Sequence, residues 1–245
     1  MVRLAASLLA LLVLVLPAWA GDRAGIGFIG YSDDARYFAF EEFGIQDGSG
    51  FAYANVYVLD LQTDQWVKNT PVRVRLEDES STLAAARADA LSQARPVLDT
   101  LGIAEPVDII ALNGDGAAGI NDKMLRFGQP GYSMAAPEAS YELTLSGVAA
   151  TLSMADCVGE TDAGEAGFAL NLTVDGKAHE VYRDKTVPES RGCPLGYRLY
   201  GVITPFDDLA AFAPELGPGA LAIVSVYSLG FEGADRRFIA VPLKF

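Results

Sequence analysis

The sequence predicts a mainly β fold, antiparallel and either sandwich-like or incomplete-propeller-like, with one α-helical segment covering it. Three observations lead there. Runs of alternating apolar and polar residues recur from residue 25 to residue 243, separated by Gly, Asn, Asp and Pro turn chemistry. Only residues 81–101 carry helical spacing. No repeat of fixed period is evident, so a regular multi-blade propeller is not expected.

The elements follow in chain order. Arg3, the apolar run Leu4 to Leu16, Pro17 and the small-residue site Ala18-Trp19-Ala20 read as a signal peptide at residues 1–20, with cleavage expected after Ala20. The apolar run is short of the roughly 20 residues a membrane span needs, and no later stretch reaches that length. The expected mature chain is therefore a single β-rich exported domain, residues 21–245, periplasmic or extracellular. It admits a subdivision into a half at 21–103 that ends in the helix and a disulfide-stapled half at 104–245.

Gly25–Tyr31 reads as a first strand, Ser32-Asp33-Asp34-Ala35 as a turn and Arg36–Phe40 as a second strand. Glu41 to Gly50 reads as an acidic glycine loop, Asn55–Leu61 as a third strand, and Trp66–Leu76 as a fourth after the turn at 62–65. In 81–101 the apolar positions Leu83, Ala86, Ala90, Ala94, Val97 and Leu101 fall on one helical face. A serine cap opens that helix, Gly102 closes it and Pro96 is expected to kink or divide it. Strands are expected at Val107–Leu112, Lys123–Phe127, Tyr141–Ala149, Gly167–Val174, Ala178–Tyr182, Tyr197–Thr204, Leu221–Ser228 and Arg237–Leu243, with turns at 113–116 and 129–131 and a hairpin at Asp175-Gly176.

YSDDARYFAF followed by NVYVLDLQTDQW, residues 31–66, resembles a single blade of TolB-type propellers, although Asp33 and Ala35 stand where such blades carry proline and glycine. That resemblance implies a blade-like sheet in the first half. RYFAFEEFGIQDGSGFAYANVYVLDLQTDQWV, together with VYSLGFEGADRRFIAVP, resembles a bacterial family of predicted secreted proteins of unknown function. It implies export and a self-contained β-rich domain, with no catalytic residues to carry over.

Composition limits the function classes. The chain has 32 Asp and Glu against 18 Lys and Arg, a formal charge of −14, which repels nucleic acid and anionic membrane surfaces. Cys157 and Cys193 are its two cysteines, and in an oxidising compartment they are expected to form one disulfide. His179 is the lone histidine. No G-x-S-x-G or H-E-x-x-H occurs, so neither a hydrolytic triad nor a classical zinc site is expected. His179 reads as a surface residue, and Phe231-Glu232-Gly233 followed by Asp235-Arg236-Arg237 reads as an ion-paired surface turn worth roughly 0–1 kcal/mol.

Candidate ligand-binding residues are Glu42, Asp47 and Tyr53. The 41–50 loop gathers carboxylates beside tyrosines, and a tyrosine offers an apolar face with a polar tip. The plainer reading makes Glu41 and Glu42 solvated and turned to opposite faces. Among the aromatics Tyr31, Tyr37, Phe43, Phe51, Tyr53 and Tyr57, most are expected in the core, with Tyr37 and Tyr57 the better candidates for exposure. A second oxygen-rich loop offers Asn113, Asp115, Asn121 and Asp122 as Ca²⁺ ligands, but Ala117 and Ala118 break the EF-hand pattern; no other cofactor is expected. The leading expectation is a non-catalytic exported binding or envelope-accessory protein whose partner is an envelope protein or glycan. The alternatives are a hydrolase of envelope polymers using Glu42 and Asp47, and a calcium-stabilised structural module.

Overall fold

The computed structural model describes residues 21–128, 141–154, 157, 165–206 and 219–243. The expected signal peptide and the turn at 129–131 lie outside the described residues. Among the described residues, three main antiparallel sheets and one α-helix are stacked in layers.

The first sheet has six strands: β1 (Gly25–Ser32), β2 (Tyr37–Ile45), β3 (Ala52–Asp60), β4 (Gln65–Trp66), β5 (Val72–Leu76) and β6 (Ile103–Glu105). Its order is β4-β3-β2-β1-β6, with β5 also on β3. The connectivity of β1 to β4 is a simple meander. The central sheet runs β16-β15-β14-β7, from β7 (Val107–Leu112), β14 (Pro194–Pro205), β15 (Leu221–Leu229) and β16 (Ala234–Pro242). The outer sheet runs β12-β11-β9-β8, from β8 (Met124–Phe127), β9 (Tyr141–Val148), β11 (Gly167–Val174) and β12 (Lys177–Arg183). A two-strand parallel pair, β10 (Thr151–Leu152) with β13 (Thr186–Val187), lies beside it.

Side-chain alternation assigns the layers. On β2, Phe38 and Phe40 face the central sheet, meeting Ile203, Leu221, Ile223 and Phe238, whereas Ala39 faces the helix. The central sheet is covered on both faces: Ala222, Val224 and Val226 of β15 meet Phe168, Leu170 and Leu172 of the outer sheet. This explains why β15 reads LAIVSVYSL, nearly apolar throughout, for a strand buried on both sides has no solvent face. The bulge at Ile29, followed by Gly30 at φ +148°, shifts the phase of β1 so that Phe28 and Tyr31 share the inward face. Residues from 21–103 and from 104–245 therefore share one apolar cluster.

Helix α1 (Leu83–Thr100) covers the other face of the first sheet through Ala86, Ala90, Ala94 and Leu98. Thr82, not the preceding serine, caps it: its Oγ1 accepts the Ala85 N–H at 3.1 Å. Pro96 lies inside the helix without dividing it, and Gly102, at φ +63°, follows its end.

Several strand limits differ from the sequence reading. The expected strand at 66–76 is two, β4 and β5, separated around the cis Thr70–Pro71 bond, where proline supplies no ladder donor. The expected loop at 41–50 is strand as far as Ile45, so only residues 46–51 turn the chain. Ala35 adopts φ +52°, the left-handed conformation that usually selects glycine. Cys157 and Cys193 are disulfide-bonded, with Cα atoms 5.2 Å apart.

Candidate functional site

The first sheet, β16 and the chain from Tyr182 to Arg191 enclose a cleft of about 610 Å³. Strand register builds its main wall. Phe40 stands opposite Tyr57, Glu42 opposite Asn55, and Asn55 opposite Arg73. All five side chains point the same way because they alternate with the helix-facing residues Ala39, Ala54, Val56 and Val74.

Aromatic packing runs from the core to the mouth. Phe38 stacks on Phe40 at 5.9 Å, Phe40 on Tyr57 at 4.9 Å, and Tyr57 meets Trp66 at 5.7 Å between ring centroids. Trp66 is 44% exposed, and the Arg73 guanidinium lies 6.0 Å from its ring centroid. Pro188, Ser190 and Arg191 form the opposite wall. The bonded Cys157–Cys193 pair anchors the chain two residues beyond Arg191.

Glu42 is fully buried against the cleft. Its Oε2 accepts the Tyr57 hydroxyl at 2.8 Å, and its Oε1 accepts the backbone N–H of Phe238. Burial raises its carboxyl above the usual range, although both hydrogen bonds and nearby Arg237 favour the ionised form. The Tyr57 hydroxyl is raised by burial and by Glu42 beside it.

Three arginines line the cleft. Arg237 donates to Asp22 at 2.7 Å and lies over the Tyr53 ring; Arg191 donates to Asp184 at 2.6 Å and to the Tyr182 hydroxyl at 2.8 Å. Arg73, which is exposed, has no ion pair among the described residues. A second, shallower depression adjoins the cleft and shares Asn55, Arg73 and Arg237 with it.

The sequence-derived candidates separate. Glu42 lines the cleft and Tyr53 the adjoining depression, where its hydroxyl donates to Asp22 at 2.9 Å. Gly44 stands opposite Tyr53 in the ladder, and a Cβ there would fall 2.7 Å from the Tyr53 hydroxyl, so glycine gives that ring its place. Asp47 lies in the 46–51 turn, where its carboxylate accepts the Gly48 N–H at 3.0 Å, and it lines neither space. Glu41 and Glu42 do face opposite sides, yet both are buried rather than solvated: Glu41 is paired with Arg87 of α1. Tyr57 is half-buried in the cleft wall, whereas Tyr31 is fully buried.

The 113–122 loop directs its candidates to different partners. Asn113 is buried and donates its amide to the carbonyls of Asn121, Met124 and Leu199 at 3.1–3.3 Å. Both Asp115 oxygens accept from Arg236 Nη1, at 2.7 and 2.8 Å, and Asp115 also pairs with Arg23. Burial alone would raise Asp115, but the two arginines hold it below the usual carboxylate range. Asn121 and Asp122 are exposed. Among the described residues no group of three His, Cys, Asp or Glu side chains is placed to hold a metal ion.

Arg236 and Arg237 correct the expectation of a local surface ion pair. Their partners are Asp115 and Asp22, 121 and 215 residues away, and Arg236 is 5% exposed. Trp66, Arg73, Arg191 and Phe238 are among the cleft residues that the sequence did not single out; Trp66 was recognisable as the one tryptophan after residue 20. His179 is exposed, as expected. No helix among the described residues is long and apolar enough to cross a membrane.

The family described as "Predicted secreted protein (DUF2259)" matches residues 39–244. No curated protein matches the chain.

Proposed function

The chain belongs to this family of predicted secreted proteins, and we propose that it is a non-catalytic binding protein of the cell envelope, acting in the periplasm or outside the cell. The observation that carries this reading is the pairing of exposed Trp66 with Arg73, a guanidinium without an ion pair among the described residues, at the mouth of a cleft whose buried carboxylate Glu42 is already engaged. An indole offers a flat apolar face and Arg73 a cation, a combination suited to an envelope protein segment or glycan that carries a carboxylate. The buried polar groups beneath are engaged with one another: Glu42 by Tyr57 and Phe238, Asp184 by Arg191 and Tyr182. Such a frame holds the wall in place and leaves the mouth for recognition.

A chain prepared from Gly21 onward carries Trp66 as its one tryptophan, so its fluorescence reports on the cleft directly. Titration with envelope extracts fractionated into peptides and glycans is expected to give a saturable change from one fraction. Trp66→Phe with Arg73→Ala is expected to weaken that binding at least tenfold, read by calorimetry. No saturable change from any fraction overturns the reading.

A second reading, hydrolysis, is favoured by Glu42 alone, a carboxyl raised by burial against the same cleft. Product release from those fractions that is lost in Glu42→Gln would select it.

A further inference from the structure

The central sheet ends at β16, and the outer edge of that strand forms the floor of the cleft, with the flanking sheets rising on either side. Main-chain direction along β16 follows from its register. Ser225 stands opposite Phe238 and Tyr227 opposite Arg236 in an unbroken ladder from residue 234 to residue 242. The Arg236 N–H donates to the Asp22 carbonyl at 2.8 Å, the Ala24 N–H donates to the Arg236 carbonyl at 3.4 Å, and the Phe238 N–H is received by Glu42. In an antiparallel ladder, residues alternate between bonding their neighbour and facing away. Arg236, Phe238, Ala240 and Pro242 therefore all direct their main-chain groups away from β15, and of these Phe238 and Ala240 line the cleft.

Along this edge the partners run out. Arg236 is met by residues 22–24, which pair with it in parallel, and the Phe238 N–H by Glu42. The Phe238 carbonyl and both the N–H and carbonyl of Ala240 have no hydrogen-bond partner among the described residues, although Ala240 is 3% exposed. Buried backbone groups in native proteins are almost always paired. Pro242 supplies no N–H and closes the row.

We propose that residues 238–242 of β16 form a strand-addition slot for a short extended peptide segment of a partner protein, one carrying a carboxylate side chain that reaches Arg73. This rests on the binding reading above and names the class of partner. Three observations favour a peptide. A donor and acceptors at strand spacing are matched by another main chain, the basis of β-augmentation. The molecule already uses this edge once, through residues 22–24, and an incoming strand would continue that row. Arg73 offers a cation without an ion pair among the described residues, in a chain of net charge −14, and so is complementary to an acidic residue. Trp66 and Tyr57 on one wall and Pro188 on the other would take the peptide's alternating side chains.

The test uses the ¹⁵N-labelled chain from Gly21. Probes are a pool of N-acetylated, C-amidated hexapeptides without proline, each carrying one glutamate, and, separately, N-acetylglucosamine oligomers. The expected result is a saturable Trp66 fluorescence change with the peptides, together with a shifted Ala240 amide whose hydrogen exchange slows at least tenfold. Ala240→Pro, which removes the N–H that faces away from β15, is expected to weaken peptide binding about tenfold, as loss of one or two hydrogen bonds would. Ala240→Gly, which keeps that N–H, should stay within about threefold of the parent. If peptides or sugars change Trp66 while Ala240 exchange in the parent chain is unaltered, strand addition is wrong and the cleft reading stands. If neither probe changes Trp66, strand addition by such peptides is overturned, while the broader reading is still decided by the envelope fractions. The Ala240 exchange measurement needs no variant, so it decides even if Ala240→Pro fails to fold.

Discussion

Glu42 is a buried carboxylate and Asp115 an exposed one held by arginines, and their surroundings push them in opposite directions. Burial dominates at Glu42 and raises it; arginines dominate at Asp115 and lower it. The consequences for stability differ in sign. A group raised on folding contributes stability that is present below its unfolded pKa and lost as pH rises through the folded one. Glu42 therefore favours the fold most below about pH 4.3, the ordinary glutamate value, and less as it ionises above. Glu42→Gln is expected to be at least as stable as the parent at pH 8, with the difference shrinking towards pH 4, in urea titrations across that range. Asp115 stabilises above its unfolded pKa of about 3.9, and that contribution is lost as pH falls through its lower folded value. Asp115→Ala should cost about 2–3 kcal/mol at pH 7, because it leaves the Arg236 guanidinium buried without its counter-charge, and the cost should fade below pH 3. At this scale little was legible in the sequence. Glu42 and Tyr53 could be nominated from local pattern, but Arg236 looked like half of a turn because its partner lies 121 residues earlier.

At the scale of elements, the wall carrying Pro188, Ser190 and Arg191 is held at its end by Cys193. Removing the bridge with Cys157→Ala and Cys193→Ala should lower stability by about 3–4 kcal/mol, the chain-entropy value for a loop of this length. It should also weaken any ligand that responds through Trp66; calorimetric melting and the fluorescence titration read the two effects separately. The pairing was legible from export and cysteine count together. The helix was legible too, from its alanine spacing: alanines at 86, 90 and 94 let α1 lie against Ala54, Val56 and Val58. The limits of β2 were not, because EEF reads as polar when Glu41 and Glu42 are assumed to face water. Each is satisfied by an arginine or a backbone N–H from another element, and no local pattern encodes that.

At the scale of the whole molecule, the middle apolar cluster joins Tyr31, Phe38 and Phe40 to Ile203, Leu221 and Phe238, so neither half can bury its inner face alone. The full chain is expected to unfold in one calorimetric transition. Residues 104–245 expressed alone should show no cooperative transition and should bind a hydrophobic dye; an independently melting fragment would contradict the shared core. The sequence by itself determined the β class, the covering helix, the expectation of export and the cysteine pair, since each rests on periodicity, composition or count. The tertiary structure decided which face of each strand meets which sheet, which charges are buried, and that β16 ends the central sheet inside a cleft. Those features depend on contacts between residues distant in the chain, and a local pattern carries no record of the partner a buried charge or an open strand edge will meet.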